Sequence, residues 1–186
     1  MPILKIARMG HPVLKQVAES VADPGAPEIR ALVDAMIDSM AEAQGIGLAA
    51  PQVHISKRVV ILTVPEVRTD PDDPEDTAMP LTALINPEIE PLGDEKAEDW
   101  EGCLSLPGMT GLVPRYRRIR YSWSTLAGER MERIASGFHA RAVQHECDHL
   151  DGVLYPMRMT DLSTLAFVDE ARRFSMEPSE LGRAAE

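Results

Sequence analysis

At 186 residues, with 44% hydrophobic and 26% charged side chains, the chain has the make-up of one soluble globular domain able to bury a proper core. A formal net charge of −11 argues against general nucleic-acid affinity and against attraction to anionic membranes, and no apolar run approaches the ~20 residues that span a bilayer. The N-terminal MPILKIARMG has neither a signal-peptide apolar core nor the Arg/Ser-rich make-up of a transit peptide, so a cytoplasmic location is expected.

Residues 3–22 read as mixed, extended chain with a turn at Gly10 and Pro12. A helix is predicted next. Pro27 suits its first turn, and Ile29, Leu32, Val33, Met36, Ile37 and Met40 recur at helical spacing to about Ala43, with Gly45 as the expected stop. Its other face carries Glu28, Arg30, Asp34, Asp38 and Glu42 and should meet water. Residues 45–52 read GIGLAAPQ, which lacks the rest of a dinucleotide fingerprint and follows a helix rather than a strand. It is either a plain turn or a small-residue segment that lets backbone approach a ligand, with Gln52 as a polar handle. Residues 57–64, KRVVILTV, are a buried strand candidate. Residues 65–80, with six acids, one arginine and four prolines, read as a solvated acidic surface loop.

Residues 81–91 resume an extended pattern in which Pro87 and Pro91 limit ladder formation. The segment 95–108 contains EGCLSLPG. Residues 115–136 predict a hairpin, with Ile119, Tyr121 and Trp123 on one face, Arg118 and Arg120 on the other, and the turn at Ala127-Gly128. The Arg115, Arg117, Arg118, Arg120 cluster is read as a solvated strand face rather than an RNA contact, given the acidic background. Gly137 opens a further helix and Gly152 closes it. Asp161–Arg173 is a last short amphipathic helix, and residues 174–186 form a loosely held tail. Residues 1–186 are thus expected to form one domain of the α+β class: antiparallel sheets packed around a central helix, with an amphipathic N-terminal helix and a short C-terminal one.

The central helix contains QHECDHLDG, residues 144–152, and within it the H-E-x-x-H pattern His145-Glu146-Cys147-Asp148-His149. At ~100° per residue the two histidines lie about 40° apart, so both can face one metal ion. Phe138, Ala142, His145 and His149 fall within about 60° of one another, a single stripe. Glu146 lies about 60–100° to the side, near enough to reach a water at the ion but not to share the ion. Cys147 is on the opposite face with Val143 and Leu150, which removes it as a third ligand. Two surface histidines and a glutamate would explain the five residues alone; burying two histidines in an apolar stripe is what metal ligation explains. Cys103 and Cys147 are too few for a disulfide framework.

Taken together, GIGLAAPQ, EGCLSLPG and QHECDHLDG resemble, in order and spacing, the three signature motifs of the peptide deformylase family, over roughly residues 3–160. The resemblance implies that Cys103 joins His145 and His149 in holding one divalent metal ion with a coordination position left for water. It implies ferrous iron (Fe2+) in the cell, with Zn2+, Ni2+ or Co2+ also suited to thiolate and imidazole donors. Glu146 would take a proton from water and pass it to the leaving amine, while the Gln52 side-chain amide and the Leu104 backbone N–H would stabilise the oxyanion. The implied substrate is an N-formylmethionyl nascent peptide, extended along Ile46 and Gly102, with Gly47 leaving room at the formyl group. Its methionine would enter a pocket lined by Ile46, Phe138 and Ala142, with the stem of Arg115 as a rim.

Glu101 and Asp148 are candidates to orient a ligand histidine or to pair with an arginine, and His11, His54 and His139 receive no role. Arg141 departs from the commonest bacterial pattern, which is apolar there. It lies about 40–60° from the stripe, at the pocket edge or reaching solvent. Some members dock on the ribosome through a basic C-terminal helix; four arginines against six acids from residue 158 onward do not favour that mode of transient contact here. Two rival readings stand. A metallopeptidase of the H-E-x-x-H kind needs a further ligand downstream, and no histidine follows at the required reach, where Tyr155 and Pro156 stand. A non-catalytic metal- or peptide-binding domain would not need the general base Glu146.

Overall fold

The computed structural model describes residues 3–174. Helix α1 (Pro27–Glu42) starts with proline in its first turn and Glu28 beside the positive end of the helix, and it buries Ile29, Val33, Met36 and Met40. Its end differs from expectation: Gln44, not Gly45, takes the left-handed conformation at φ 57°, and the Gly45 N–H donates to the Met40 carbonyl. Gly45 is small for another reason, since a Cβ there would stand 2.8 Å from Leu104 Cδ1.

The strands are β1 (Gly47–Ala49), β2 (Val59–Val64), β3 (Met79–Pro91), β4 (Lys96–Gly102), β5 (Met109–Tyr116), β6 (Arg118–Ser124), β7 (Arg130–Ser136) and β8 (Ala166–Phe167); α2 (Gly137–Leu150) follows β7 and α3 (Val168–Phe174) follows β8. Antiparallel pairing gives a five-stranded sheet, β1-β2-β3-β6-β7, and a three-stranded one, β4-β5-β8. The apolar run in β2 explains the layering. Val59 and Ile61 join Val33, Met36 and Met40 of α1 in one core, while Val60, Leu62 and Val64 join Val143, Cys147 and Leu150 of α2 in another. The larger sheet is therefore covered by a helix on each face. In the β6–β7 hairpin, Ile119, Tyr121 and Trp123 are buried, and Arg118 and Arg120 turn outward to pair with Glu75 and Glu90.

Two segments depart from the sequence reading. The acidic loop is not simply solvated, because Asp76 is buried and its carboxylate accepts from the backbone N–H groups of Phe138 (3.2 Å) and His139 (3.0 Å), capping α2 from 62 and 63 residues away. Gly137, at φ 54°, leaves room for that carboxylate. The last helix is also shorter than expected. Asp161 accepts from the Ser163 N–H in a turn, then Ala166 and Phe167 pair with Thr110 and Met109 of β5, so α3 begins only at Val168. The tail expected beyond Phe174 lies outside the described residues. No helix among the described residues is long and apolar enough to cross a membrane.

Candidate active site

Three elements converge on one cavity. Strand β4 ends at Gly102, delivering Cys103; α2 carries His145, Glu146 and His149; and β1 with the turn after it supplies Gly47 and Gln52. One ligand atom each from Cys103, His145 and His149 lies within 4.8 Å of the others, all three residues buried. Cys103 Sγ and His149 Nε2 are 3.3 Å apart, close to the ~3.6 Å that two donors of one tetrahedral zinc-like ion would keep. A thiolate and two imidazoles fit a borderline-soft divalent ion. These are the donors expected from sequence.

His145 turns its other nitrogen away: Nδ1–H donates to Glu101 Oε2 at 2.8 Å, which leaves Nε2 as the ligand atom. Glu101 is itself held by Arg115 (Nε 2.9 Å, Nη2 3.0 Å) and by Arg141 Nη1 at 2.8 Å. Burial alone would raise the Glu101 pKa, but Arg115 and the hydrogen bond from His145 outweigh it and hold the carboxyl well below the usual range. Glu101 thus both orients a histidine and pairs with arginine. Asp148 does only the second, binding Arg115 at 2.5 Å and Arg158 at 2.7 Å. Burial, with the neighbouring His145 and Arg115, pushes His149 well below the ordinary histidine value, so its ring is neutral and able to act as a ligand.

Glu146 is buried, and burial pushes its carboxyl up to about 7. Its Oε2 has no protein partner among the described residues. Gly47 makes its position possible, because a Cβ there would overlap the Glu146 carboxylate. The room that glycine provides is therefore filled first by the glutamate rather than by a formyl group. Gln52 is fixed at both ends: Oε1 accepts from the Ala49 N–H at 2.8 Å, and Nε2 donates to Ser105 Oγ at 3.2 Å and toward Cys103 Sγ at 3.6 Å.

The cavity beside the three donors, about 60 Å³, brings together Ile46, Gly47, Gln52, Gly102, Cys103, Leu104, Phe138, Ala142, His145 and Glu146, as expected. Arg115 is a correction. It does not line this cavity; its guanidinium is buried behind the site between Glu101 and Asp148, because two carboxylates bind it more strongly than an apolar rim could. Arg141 does not reach solvent but lines the cavity wall. Sequence reasoning missed Leu62, Trp100 and Arg68, which also line it. Trp100, just upstream of EGCLSLPG, could have been suspected. Nothing local marked Arg68, which lies 4.1 Å over the Phe138 ring.

An α+β fold presenting one sulfur and two imidazole donors beside a buried carboxylate and an apolar cavity defines the class of metal-site hydrolases. Comparison with known proteins narrows that class. The sequence model described as polypeptide deformylase matches residues 3–164. Peptide deformylase 1 of Bordetella pertussis is 54% identical over 164 residues, covering 88% of this chain and 92% of that protein. Peptide deformylase 1 of Nitrosomonas europaea is 51% identical over 168 residues, covering 90% and 92%. A Met-Ala-Ser-bound class I type b peptide deformylase from Acinetobacter baumannii superposes with a TM-score of 0.75 at 39% identity, covering 85% of this chain and 99% of that one. The actinonin complex of the Ehrlichia chaffeensis enzyme gives 0.80 at 30% identity, covering 95% and 100%. The chain belongs to the polypeptide deformylase family, metal-dependent hydrolases that remove the formyl group from the N-terminal methionine of polypeptides.

Proposed function

We propose that deformylation here runs on a divalent ion held by Cys103, His145 and His149, with Glu146 as the proton carrier. The observation that carries this reading is the meeting of three ligand atoms within 4.8 Å at a cavity that Glu146 also lines. Ferrous iron is the ion proposed for the cell, with zinc, nickel or cobalt suited to the same donors. When bound, the ion supplies Lewis acidity that makes water nucleophilic at neutral pH and polarises the formyl carbonyl.

The chain's own residues do the rest. Glu146 accepts a proton from the attacking water and returns it to the amine nitrogen as the C–N bond breaks, releasing formate and a free N-terminus. A carboxyl near neutrality can do both. The Gln52 amide and the Leu104 N–H donate to the carbonyl oxygen as it gains charge, and Gln52 is held for this by Ala49 and Ser105. The peptide lies extended between β1 and β4, each an edge strand of its sheet. Ile46, whose carbonyl already accepts from the Thr63 N–H, offers its own N–H, and Gly102 offers backbone from the other side. The methionine side chain enters against Ile46, Phe138 and Ala142.

A cytoplasmic reaction on nascent chains, with transient contact to the ribosome, is part of the same proposal. Formate release from formyl-Met peptides and metal content, measured on Glu146→Ala and Cys103→Ala, test the assignment. Glu146→Ala should keep its metal and lose turnover by about 10²–10⁴-fold, whereas Cys103→Ala should lose the metal. Full activity in Glu146→Ala would refute it.

A further inference from the structure

The small cavity beside the three donors has a larger neighbour. It measures about 60 Å³, and the adjacent polar cavity, with Asp70, Asp73, Glu98 and Asp99 among its walls, measures about 500 Å³. Arg68, Phe138 and Arg141 line both. These three side chains therefore form the partition between a tight slot and a roomy, charged one. Phe138 lies two turns of α2 before His145, about 10 Å along the helix axis. The partition thus closes the end of the slot that is farther from the ligand histidines.

One buried carboxylate builds both sides of that partition. Asp76 Oδ2 accepts from the Phe138 N–H at 3.2 Å and from the Asp70 N–H at 3.0 Å, and Asp70 lies two residues past the short helical turn Glu66–Arg68. The acidic loop is thereby held against the first turn of α2. The Arg68 guanidinium carbon comes to lie 4.1 Å over the Phe138 ring, a cation–π contact. Arg141 is fixed separately, through Glu101 and the carbonyls of Val113 and Ala97. A methionine side chain entering against Phe138 therefore meets the Arg68–Phe138 stack before it reaches the larger cavity. We infer that Arg68 ends the methionine pocket and sets the longest N-terminal side chain the enzyme accepts. The inference rests on the deformylase reading above and adds a specificity-determining residue to the same site. Longer unbranched side chains fail there by overpacking, and removing Arg68 opens their way into the larger cavity.

The test is formate release by the metal-loaded enzyme from formyl-Met-Ala-Ser and two analogues, one with norleucine first and one with 2-aminooctanoate, which is two methylenes longer. No turnover of any peptide defeats the deformylase reading itself. In the unmodified enzyme the 2-aminooctanoate peptide should have a kcat/KM at least about tenfold below that of norleucine. In Arg68→Ala that gap should close to under about threefold. In Arg68→Lys, which keeps a cation on the ring, it should stay within about threefold of the unmodified value. A ratio of two substrates on one preparation cancels any loss of folded or metal-loaded protein, so a merely structural effect leaves it unmoved. Val67→Ala, at a residue of the same turn that is 89% exposed, should keep the unmodified gap. Phe138→Leu removes the ring beneath Arg68, should narrow the gap in the same direction, and serves if Arg68→Ala does not fold. An unmodified enzyme that takes the longer chain as readily as norleucine would overturn the inference. So would a gap unchanged in Arg68→Ala, which would put the end of the pocket at Trp100 or Leu62 instead.

Discussion

Gly47→Ala adds one methyl group and should stop the chemistry without unfolding the protein. Gly47 pairs with Leu62 at the edge of the larger sheet and is not in the left-handed region, so alanine brings no backbone strain of its own. The difficulty is steric. The new Cβ would overlap a Glu146 carboxylate oxygen and stand 2.7 Å from Cδ and 2.9 Å from Cγ, inside the distances real Cβ atoms keep. Either β1 moves off α2 or the Glu146 side chain turns away. Overpacking of this kind costs ~1–3 kcal/mol, which in a chain of this size lowers the melting temperature by roughly 2–12 °C. A displaced general base loses about 10²–10⁴ in rate, or roughly 2.7–5.4 kcal/mol of transition-state stabilisation. The assay pairs kcat for formyl-Met peptide with metal content and a thermal melt. The expected outcome is full metal, a modest melting shift and at least about a hundredfold loss of kcat. In a Glu146→Asp background, where the acid is one methylene shorter, Gly47→Ala should cost much less, a coupling that a double-mutant cycle measures. If Gly47→Ala alone kept its rate within about threefold, Glu146 would not be the proton carrier at the position found here.

Other substitutions probe how the site is held. Asp76→Ala removes the remote cap of α2 and should cost about 1–2 kcal/mol in urea unfolding, with KM for formyl-Met peptide rising because Phe138 sits on the freed turn. Arg115→Met strips two hydrogen bonds from Glu101 and one from Asp148, but Arg141, His145 and Arg158 remain as partners. The loss should fall at the low end of the buried-pair range, about 3 kcal/mol, and a loss below about 1 kcal/mol would show the network is not holding the fold. His139 is buried between the Thr77 carbonyl, which accepts from Nδ1 at 2.7 Å, and the Tyr121 hydroxyl, 2.8 Å from Nε2. Burial, with Arg133 nearby and Asp76 opposing, lowers its pKa below 6.5. The unfolded chain therefore binds more protons as pH drops below 6.5, and the fold loses stability from there down to the folded value. His139→Gln should flatten that slope, read as the change in urea midpoint between about pH 7 and pH 5.5.

The stripe Phe138–Ala142–His145–His149 was legible because it depends only on helical period, and Phe138, Ala142 and His145 of it line the cavity, joined there by Arg141 and Glu146 of the same helix. The two faces of β6 were legible for the same reason with period two. What local pattern could not reach were partners chosen across long sequence separations. Glu101 and Asp148 had two roles open to each. They were decided only when β4–β5 pairing placed Glu101 opposite Gly111, with Arg115 further along the same strand as Gly111. Arg141 fell near the stripe by angle, but a long side chain leaves its end point undetermined until the carbonyls of Ala97 and Val113 take it. Arg115 failed the other way: the family resemblance implied a pocket rim, and two buried carboxylates claimed it. The two-residue strand β8 was too short to show any period.

These misses share a cause that bears on mechanism. Glu101, Arg115, Arg141, Asp148 and Glu146 are all buried, and ionised groups withdrawn from water are costly unless each finds a partner. The first four are tied to one another or to backbone oxygen. Glu146 alone keeps a carboxylate oxygen without one, and desolvation moves its carboxyl toward neutrality. The partnered charges fix the geometry of His145 and the pocket wall, and the unpartnered one can exchange a proton. Paired with an arginine as Glu101 is, Glu146 would be held ionised and too weak a base at neutral pH. The separation of the two glutamates, one saturated with donors and one starved of them, is therefore what divides scaffold from proton carrier in this site.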